Sequence, residues 1–368
     1  MTPKPHSFHQ MLRHPRQHFG QLCRFGAIGA TVLAGAAGFA YTAGWLTPHR
    51  LTAQRIVNAF EANAGEHPGF RRNHAKGVCV AGYFEGNGAA LAVSRASVFG
   101  PTRTPVIGRF AIPGGNPAAA DNSVPIRSMA LDFSLAHGEQ WRTAMNNTPV
   151  FVVNTPLAFF QQLLASRPDL STGKPDPARL HAFYAAHPET QPFLNWVKTH
   201  PPSSSFANGT YYSINAFRAI DANGNTHFIR WAMQPETPYT GVTAAQAAGH
   251  DFLGDELVQR LMQGPLRWHL ILTVAAPGDP TTDATRAWPD GRQQIDAGTL
   301  VIERERAQSD GDCRDINYDP TVLPVGLEPS DDPLLAARSA AYAVSFNRRT
   351  HEQAVLTSVG HTSTQVSP

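Results

Sequence analysis

The chain alternates short apolar runs with turn residues over most of its length, after one long uncharged stretch near its start. From Leu51 to Asn63 the apolar positions Leu51, Ile56, Val57 and Phe60 predict a short amphipathic helix, with Thr52 placed to cap it. Extended runs follow at Val78–Phe84, Leu91–Phe99, Pro105–Ile112 and Arg127–Ser134. Gly86-Asn87-Gly88 predicts a hairpin between the first two. A short extended run over Asn147–Val153 leads into a helix over Pro156–Ala165, and helical pieces are expected at Ala178–Ala186 and Phe193–Thr199. Tyr211–Ile220 and Thr226–Met233 form the clearest hairpin, turned at Asn223-Gly224. Gln246–Gln263 reads as a helix, and Trp268–Ala275 and Thr299–Glu305 as buried strands. Counting the longer runs gives eight strands, mostly in sequential hairpins. That order predicts an antiparallel sheet, and eight strands suffice to close a barrel. Asp331-Asp332-Pro333 opens a last helix with an acidic cap and a first-turn proline.

The uncharged stretch is Phe25–Leu46. At the helical rise it is long enough to cross a hydrocarbon core, with Trp45 suited to the interface. Lys4, Arg13, Arg16 and Arg24 precede it without an acid, which predicts a cytoplasmic N-terminus and a globular part outside. The domain expectation is a basic N-terminus over 1–24, an anchor over 25–46, a folded domain over 49–352 and a flexible tail over 353–368. A cleaved signal peptide is the alternative, since Ala34-Gly35-Ala36 offers small residues; the length of the span favours an anchor.

Composition narrows the class. The 368 residues can bury a substantial core, and a net charge of +2 with scattered basic residues excludes an obvious nucleic-acid surface. Thirty prolines and thirty glycines speak for turns and long connections, not a helical bundle. The three cysteines, at 23, 79 and 313, give no readable disulfide framework and no Cys-x-x-Cys motif.

Chemistry concentrates in Arg71-Arg72-Asn73-His74-Ala75-Lys76-Gly77, an irregular segment with one imidazole just before a strand. Histidine is the side chain most easily poised to move protons near neutral pH, although at a strand mouth it often only closes a loop. Arg338 and Tyr342 are four apart on the last helix and share a face.

Five segments in this order resemble the haem catalases: His74–Gly77, Pro105–Phe110, Ile126–Phe133, Asn146–Phe151, and Leu327–Ser330 leading to Arg338–Tyr342. Without a further C-terminal region, the chain looks most like the short catalase-related peroxidases. The resemblance implies an α+β fold: a catalase-like eight-stranded antiparallel β-barrel with surrounding helices, preceded here by one N-terminal transmembrane helix. It also implies a non-covalent b-type haem. His74 matches the distal histidine, which moves a proton between the two peroxide oxygens; Asn147 matches an asparagine that orients the peroxide. Asn146 is equally able to make the Asx turn before Thr148-Pro149. Ser94 matches a serine bonded to the histidine's far nitrogen. Tyr342 matches the proximal iron ligand, with Arg338 supplying the cation that favours a phenolate. Arg71 and Arg349 match residues that pair with haem propionates, and Phe159 an aromatic lying against the porphyrin.

Several positions depart from the family pattern. Asn73 stands where catalases usually carry valine, Ala92 replaces an arginine expected near a propionate, Phe346 stands where a histidine is common, and Asn215 replaces a histidine. These departures and the short chain imply a haem peroxidase that reduces hydrogen peroxide or organic peroxides with an external small-molecule donor, and only weak catalase activity. The expected setting is a bacterial inner membrane with the haem domain on the periplasmic side, as monomer or homodimer. Fatty-acid hydroperoxide rearrangement and a non-catalytic envelope haem-binding role are the alternatives.

Overall fold

The computed structural model describes residues 15–42 and 50–363. Helix α1 (Pro15–Thr42) forms one unit, and the chain from Ala53 onward forms another. Within α1, Cys23–Thr42 is long and apolar enough to cross a membrane, with a mean hydropathy of 1.4. Most of the basic leader and the end of the expected span, including Trp45, lie outside the described residues.

The second unit begins with α2 (Ala53–Ala64) and continues with β1 (Gly77–Gly86), β2 (Arg103–Ala111), β3 (Ser128–Ser134) and β4 (Gln140–Asn146). Then come α3 (Pro156–Ala165), α4 (Pro177–Ala186) and α5 (Gln191–Thr199), followed by β5 (Tyr211–Tyr212), β6 (Phe217–Ile220) and β7 (Thr226–Pro235). Short α6 (Ala244–Ala247), α7 (Phe252–Leu261), β8 (Leu266–Val274), β9 (Gln294–Ala307), β10 (Leu327–Pro329) and α8 (Pro333–Ser363) complete it. The ladder runs β7-β5-β4-β3-β2-β1-β9-β8 and closes through β7–β8, which makes an eight-stranded antiparallel barrel. β6 and β10 extend it as a flap beside β7.

Alternation fills the barrel interior with rings. Phe133 stacks on Trp141 with centroids 4.7 Å apart, Phe217 lies 4.2 Å from Trp231, and Phe110 stacks 5.1 Å from Phe206. Phe84, Phe99 and Trp268 are also fully covered. At roughly 25 cal/mol per Å² of apolar surface, such rings dominate the driving force for closure.

Several expected elements differ. Leu91–Phe99 is not a strand but two 3-10 turns, Ala89–Ala92 and Ser97–Phe99, so β1 pairs with β2 from Gly77↔Ala111 to Glu85↔Arg103. The strand count is kept by Gln140–Asn146, whose polar alternation concealed it; Trp141 and Met145 point inward between solvated or cavity-facing neighbours. Tyr211–Ile220 is broken at Ile214, which adopts a φ of 66°. Gln246–Gln263 resolves into α6 and α7. The last helix starts as expected, with Asp332 Oδ1 accepting from the Leu334 N–H at 2.9 Å. It runs on to Ser363, however, so the tail expected from 353 is helical that far.

One bond was not legible in the sequence. Cys79 and Cys313 form a buried disulfide, with Cα atoms 5.3 Å apart, that fastens β1 to the turn Asp312–Asp315. Among the described residues Cys23 is the free thiol.

Candidate active site

Outside the barrel, between the wall made by β3 and β4 and the helices α2, α3 and α8, lies a cavity of about 1340 Å³ of empty space, counting its solvent-filled mouth. Ile56, Val57 and Phe60 of α2, Phe159 of α3 and Phe346 of α8 give it apolar walls. Phe159 holds its place by ring contacts with Phe151 at 5.6 Å and Phe60 at 5.9 Å. Of the residues selected from the sequence, His74, Arg71, Arg338, Arg349, Phe159 and Tyr342 all line this one cavity, although they span 278 positions of chain (71 to 349, a difference of 278).

A brace of charges holds the two main contributors together. Arg72 pairs with Glu61 of α2 at 2.5 Å and with Glu352 of α8. Arg348 reaches Glu61 at 2.6 Å, and Glu352 Oε2 accepts from the Gly69 N–H at 2.8 Å. The segment bearing His74 and the helix bearing Tyr342 are thereby tied through shared, partly buried carboxylates. On the other side of the segment Lys76 donates to the Ala119 carbonyl at 2.7 Å and pairs with Asp121 at 2.8 Å.

His74 keeps some surface toward the cavity, while its Nδ1 is fully covered and has no hydrogen-bond partner. Burial, reinforced by Arg109, Arg338 and Arg71, lowers its pKa from 6.5 to about 3, so the ring is neutral across the physiological range.

Two expected contributors are elsewhere. The Ser94 hydroxyl donates to the Gly326 carbonyl at 2.8 Å and accepts from the Ala96 N–H at 3.2 Å; it caps a turn within the core and does not line the cavity. Asn147 is also turned away. Its Oδ1 accepts from the Arg127 N–H and its own N–H donates to the Arg127 carbonyl, each at 2.9 Å. Asn146 occupies the cavity wall instead. Successive side chains of a strand point to opposite faces, so only one of two adjacent asparagines at the end of β4 can reach the cavity. Ser128, directly opposite in the β3–β4 register, donates to Asn146 Oδ1 at 2.7 Å. With that oxygen engaged, the amide NH₂ of Asn146 is the group left for a ligand.

Besides Arg71 and Arg349, a third buried arginine lies near them at this end of the cavity. Arg71 donates to the carbonyls of Cys313 at 2.9 Å, Arg314 at 3.2 Å and Ile316 at 2.9 Å. Arg349 shares two of these, at 2.5 Å to Arg314 and 3.2 Å to Ile316. The third is Arg109 on β2, which lines the cavity and bonds Gln308 at 2.8 Å and the Ala75 carbonyl at 3.3 Å. Gly77 makes room for it: a Cβ there would fall 2.4 Å from the guanidinium. Ala92, where a basic partner is absent from the sequence, is exposed in a 3-10 turn away from the cavity. The signal for Arg109 was present in the sequence, as a lone cation among the apolar residues of Pro105–Ala111.

Burial depresses all three guanidinium pKa values, Arg109 strongly and Arg349 to about 9, and for Arg109 and Arg349 the charge of Arg71 adds to it. Among the described residues neither Arg71 nor Arg109 makes a salt bridge, and Arg349 has only Asp315 at 4.0 Å. Buried cations without counter-charge are costly, so this end of the cavity is built for an anion.

Tyr342 packs against the cluster of Cys79, Cys313 and Tyr318. Arg338, one turn earlier, donates to Asn215 Oδ1 and, at 2.9 Å, to the Ala144 carbonyl; Asn215 Nδ2 in turn donates to Asp332 at 2.8 Å. Tyr318 is a second phenol on the cavity. Burial pushes its pKa up and its hydroxyl is engaged with the Ile107 carbonyl at 3.4 Å, which disfavours it as a phenolate ligand.

The matching family model is that of catalase, over residues 40–358. The chain belongs to the catalase family. It is 38% identical over 302 residues to a catalase-related peroxidase of Synechococcus elongatus, an alignment covering 82% of this chain and 89% of that one. To a catalase-related peroxidase of Mycolicibacterium paratuberculosis it is 32% identical over 305 residues, covering 82% and 95%. Among solved structures, a fungal catalase superposes with a TM-score of 0.69 at 19% identity, over 77% of this chain and 60% of that one. A bacterial catalase gives 0.69 at 21%, over 77% and 58%. The eight-stranded barrel is thus the catalase fold, in a chain matching only about three-fifths of those catalases. Catalase membership places the protein among the oxidoreductases that act on peroxide.

The cavity fits the haem that is typical of this family. It offers a phenol at Tyr342, an imidazole at His74, apolar walls at Phe159 and Val57, and a cation-rich end, at Arg71, Arg109 and Arg349, suited to an anionic group.

Proposed function

We propose that this protein reduces hydrogen peroxide or an organic peroxide at a non-covalent b-type haem, drawing electrons from an external organic donor and evolving little oxygen. The balanced change is ROOH plus two protons and two electrons giving ROH and water. Haem supplies the electron-transfer chemistry when bound. Tyr342 would hold its iron through the phenolate oxygen, and Arg71, Arg109 and Arg349 its propionates. His74, neutral at physiological pH, accepts the peroxide proton and returns it to the departing oxygen. The Asn146 amide, fixed by Ser128, donates a hydrogen bond that orients the peroxide.

The observation that carries this reading is the arrival of His74, Asn146, Tyr342 and the arginines Arg71, Arg109 and Arg349 on a single cavity. We place the domain outside the cytoplasm behind an N-terminal anchor. The apolar helix supports that placement, and so does a disulfide, since such bonds persist mainly in oxidising compartments. The test is His74→Ala in full-length protein with haem added: the Soret spectrum should survive while donor oxidation by peroxide falls by about 100-fold or more. Undiminished turnover, or vigorous oxygen release without donor oxidation in the parent protein, would reject the proposal.

A further inference from the structure

His74 has a φ of 57°, a backbone state that residues with a Cβ seldom adopt. The reason lies in the preceding side chain. Asn73 Oδ1 accepts from the His74 N–H at 3.0 Å and from the Gly114 N–H at 2.8 Å. The Ala75 N–H then donates to the Gly114 carbonyl at 2.8 Å, so residues 73–75 are stitched to the turn Pro113-Gly114-Gly115. The approach is as close as the backbone permits: a Cβ on Gly115 would come within 2.9 Å of the Arg72 carbonyl oxygen. Gly114 itself, at a φ of 121°, takes a conformation open mainly to glycine.

We propose that Asn73 is a positioning residue for His74. Its side-chain carbonyl holds the histidine backbone in the left-handed state, and that state sets the direction in which the imidazole leaves the chain. A relaxed, negative φ would swing the Cα–Cβ bond away from its present course, and the ring with it. An apolar residue at 73 offers neither N–H an acceptor, so this chain secures its imidazole by a side-chain clamp. Misplacing a catalytic group by about 1 Å is enough to cost around 100-fold in rate. The role of His74 here rests on the peroxidase reading above; the clamp itself does not.

The test compares Asn73→Ala and Asn73→Asp in the full-length, haem-loaded protein. Asp keeps an oxygen where Oδ1 stands. We expect Asn73→Ala to lower kcat about 10- to 100-fold with KM for the donor and haem affinity within about twofold, and Asn73→Asp to recover to within about threefold. Amide hydrogen exchange at His74 and Gly114 should accelerate in the Ala variant and not in the Asp variant. Cyanide, which the distal ring can hydrogen-bond at the iron, should dissociate faster from Asn73→Ala alone. Equal exchange and equal kcat in Asn73→Ala and the parent would overturn the clamp, as would an Asp variant as impaired as Ala. A parent protein that exchanges as expected but consumes no peroxide would remove the enzymatic reading and leave the clamp standing.

Discussion

Cys79 on β1 is bonded to Cys313, and the Cys313 carbonyl accepts from Arg71 at 2.9 Å. The covalent staple and the cation rim of the cavity therefore share one residue. Because Arg349 also holds the carbonyls of Arg314 and Ile316, the disulfide anchors the loop on which two cavity arginines depend. Replacing both cysteines by alanine should lower stability by about 2–4 kcal/mol. Haem affinity should fall with it. Thermal melting with and without reductant, paired with haem titration, reads both effects; a variant with parental Tm and affinity would refute this link.

Arg109 is a fully buried cation without a carboxylate among the described residues. Substituting it by methionine should leave the haem-free protein as stable as before, or more so by about 1–3 kcal/mol, because an uncompensated charge is removed. The same change should weaken haem binding about tenfold or more. Urea unfolding of the haem-free form and equilibrium haem titration separate the two. A large destabilisation of the haem-free form would show that Arg109 serves the fold instead.

The two asparagines should divide cleanly. Asn146→Ala removes the cavity amide and should reduce the peroxide rate about 10- to 100-fold with haem retained. Asn147→Ala exposes no cavity group but strands the buried Arg127 N–H, and should cost about 1–3 kcal/mol of stability with little change in turnover of the folded enzyme. Ser94→Ala should behave like Asn147→Ala, since its hydroxyl serves Gly326 and Ala96. Steady-state kinetics beside chemical denaturation decides each case.

The depressed pKa of His74 makes haem-free stability depend on pH. Unfolded, the ring titrates at 6.5; folded, at about 3. Between those values the unfolded chain binds the extra proton, so acid favours unfolding there. The contribution is complete above pH 6.5 and is lost as the pH falls toward 3. The parent protein should therefore lose more stability between pH 6.5 and 4 than His74→Gln does. Parallel curves for the two would mean that His74 titrates normally.

Read alone, the sequence determined the class of fold and picked out residues that the structure brings to one cavity. Hairpin spacing gave an antiparallel barrel of the right strand number, the Asn223-Gly224 turn located one hairpin, and the Asp332-Pro333 start located α8. The ordered motifs chose His74 and Tyr342, because short local words carry those positions. What failed needed direction or distance. Which of Asn146 and Asn147 meets the cavity depends on where β4 ends, and a one-residue shift reverses every side chain. Ser94 was lost because Leu91–Phe99 coils into two turns under tertiary constraints that its apolar pattern does not encode. The disulfide pairs residues 234 positions apart, and the Arg109 guanidinium lies against Gly77 of the neighbouring strand. Local pattern selects elements and candidate chemistry; closing the barrel decides which side chains meet, because contacts between distant segments exist only once the sheet has joined its own edges.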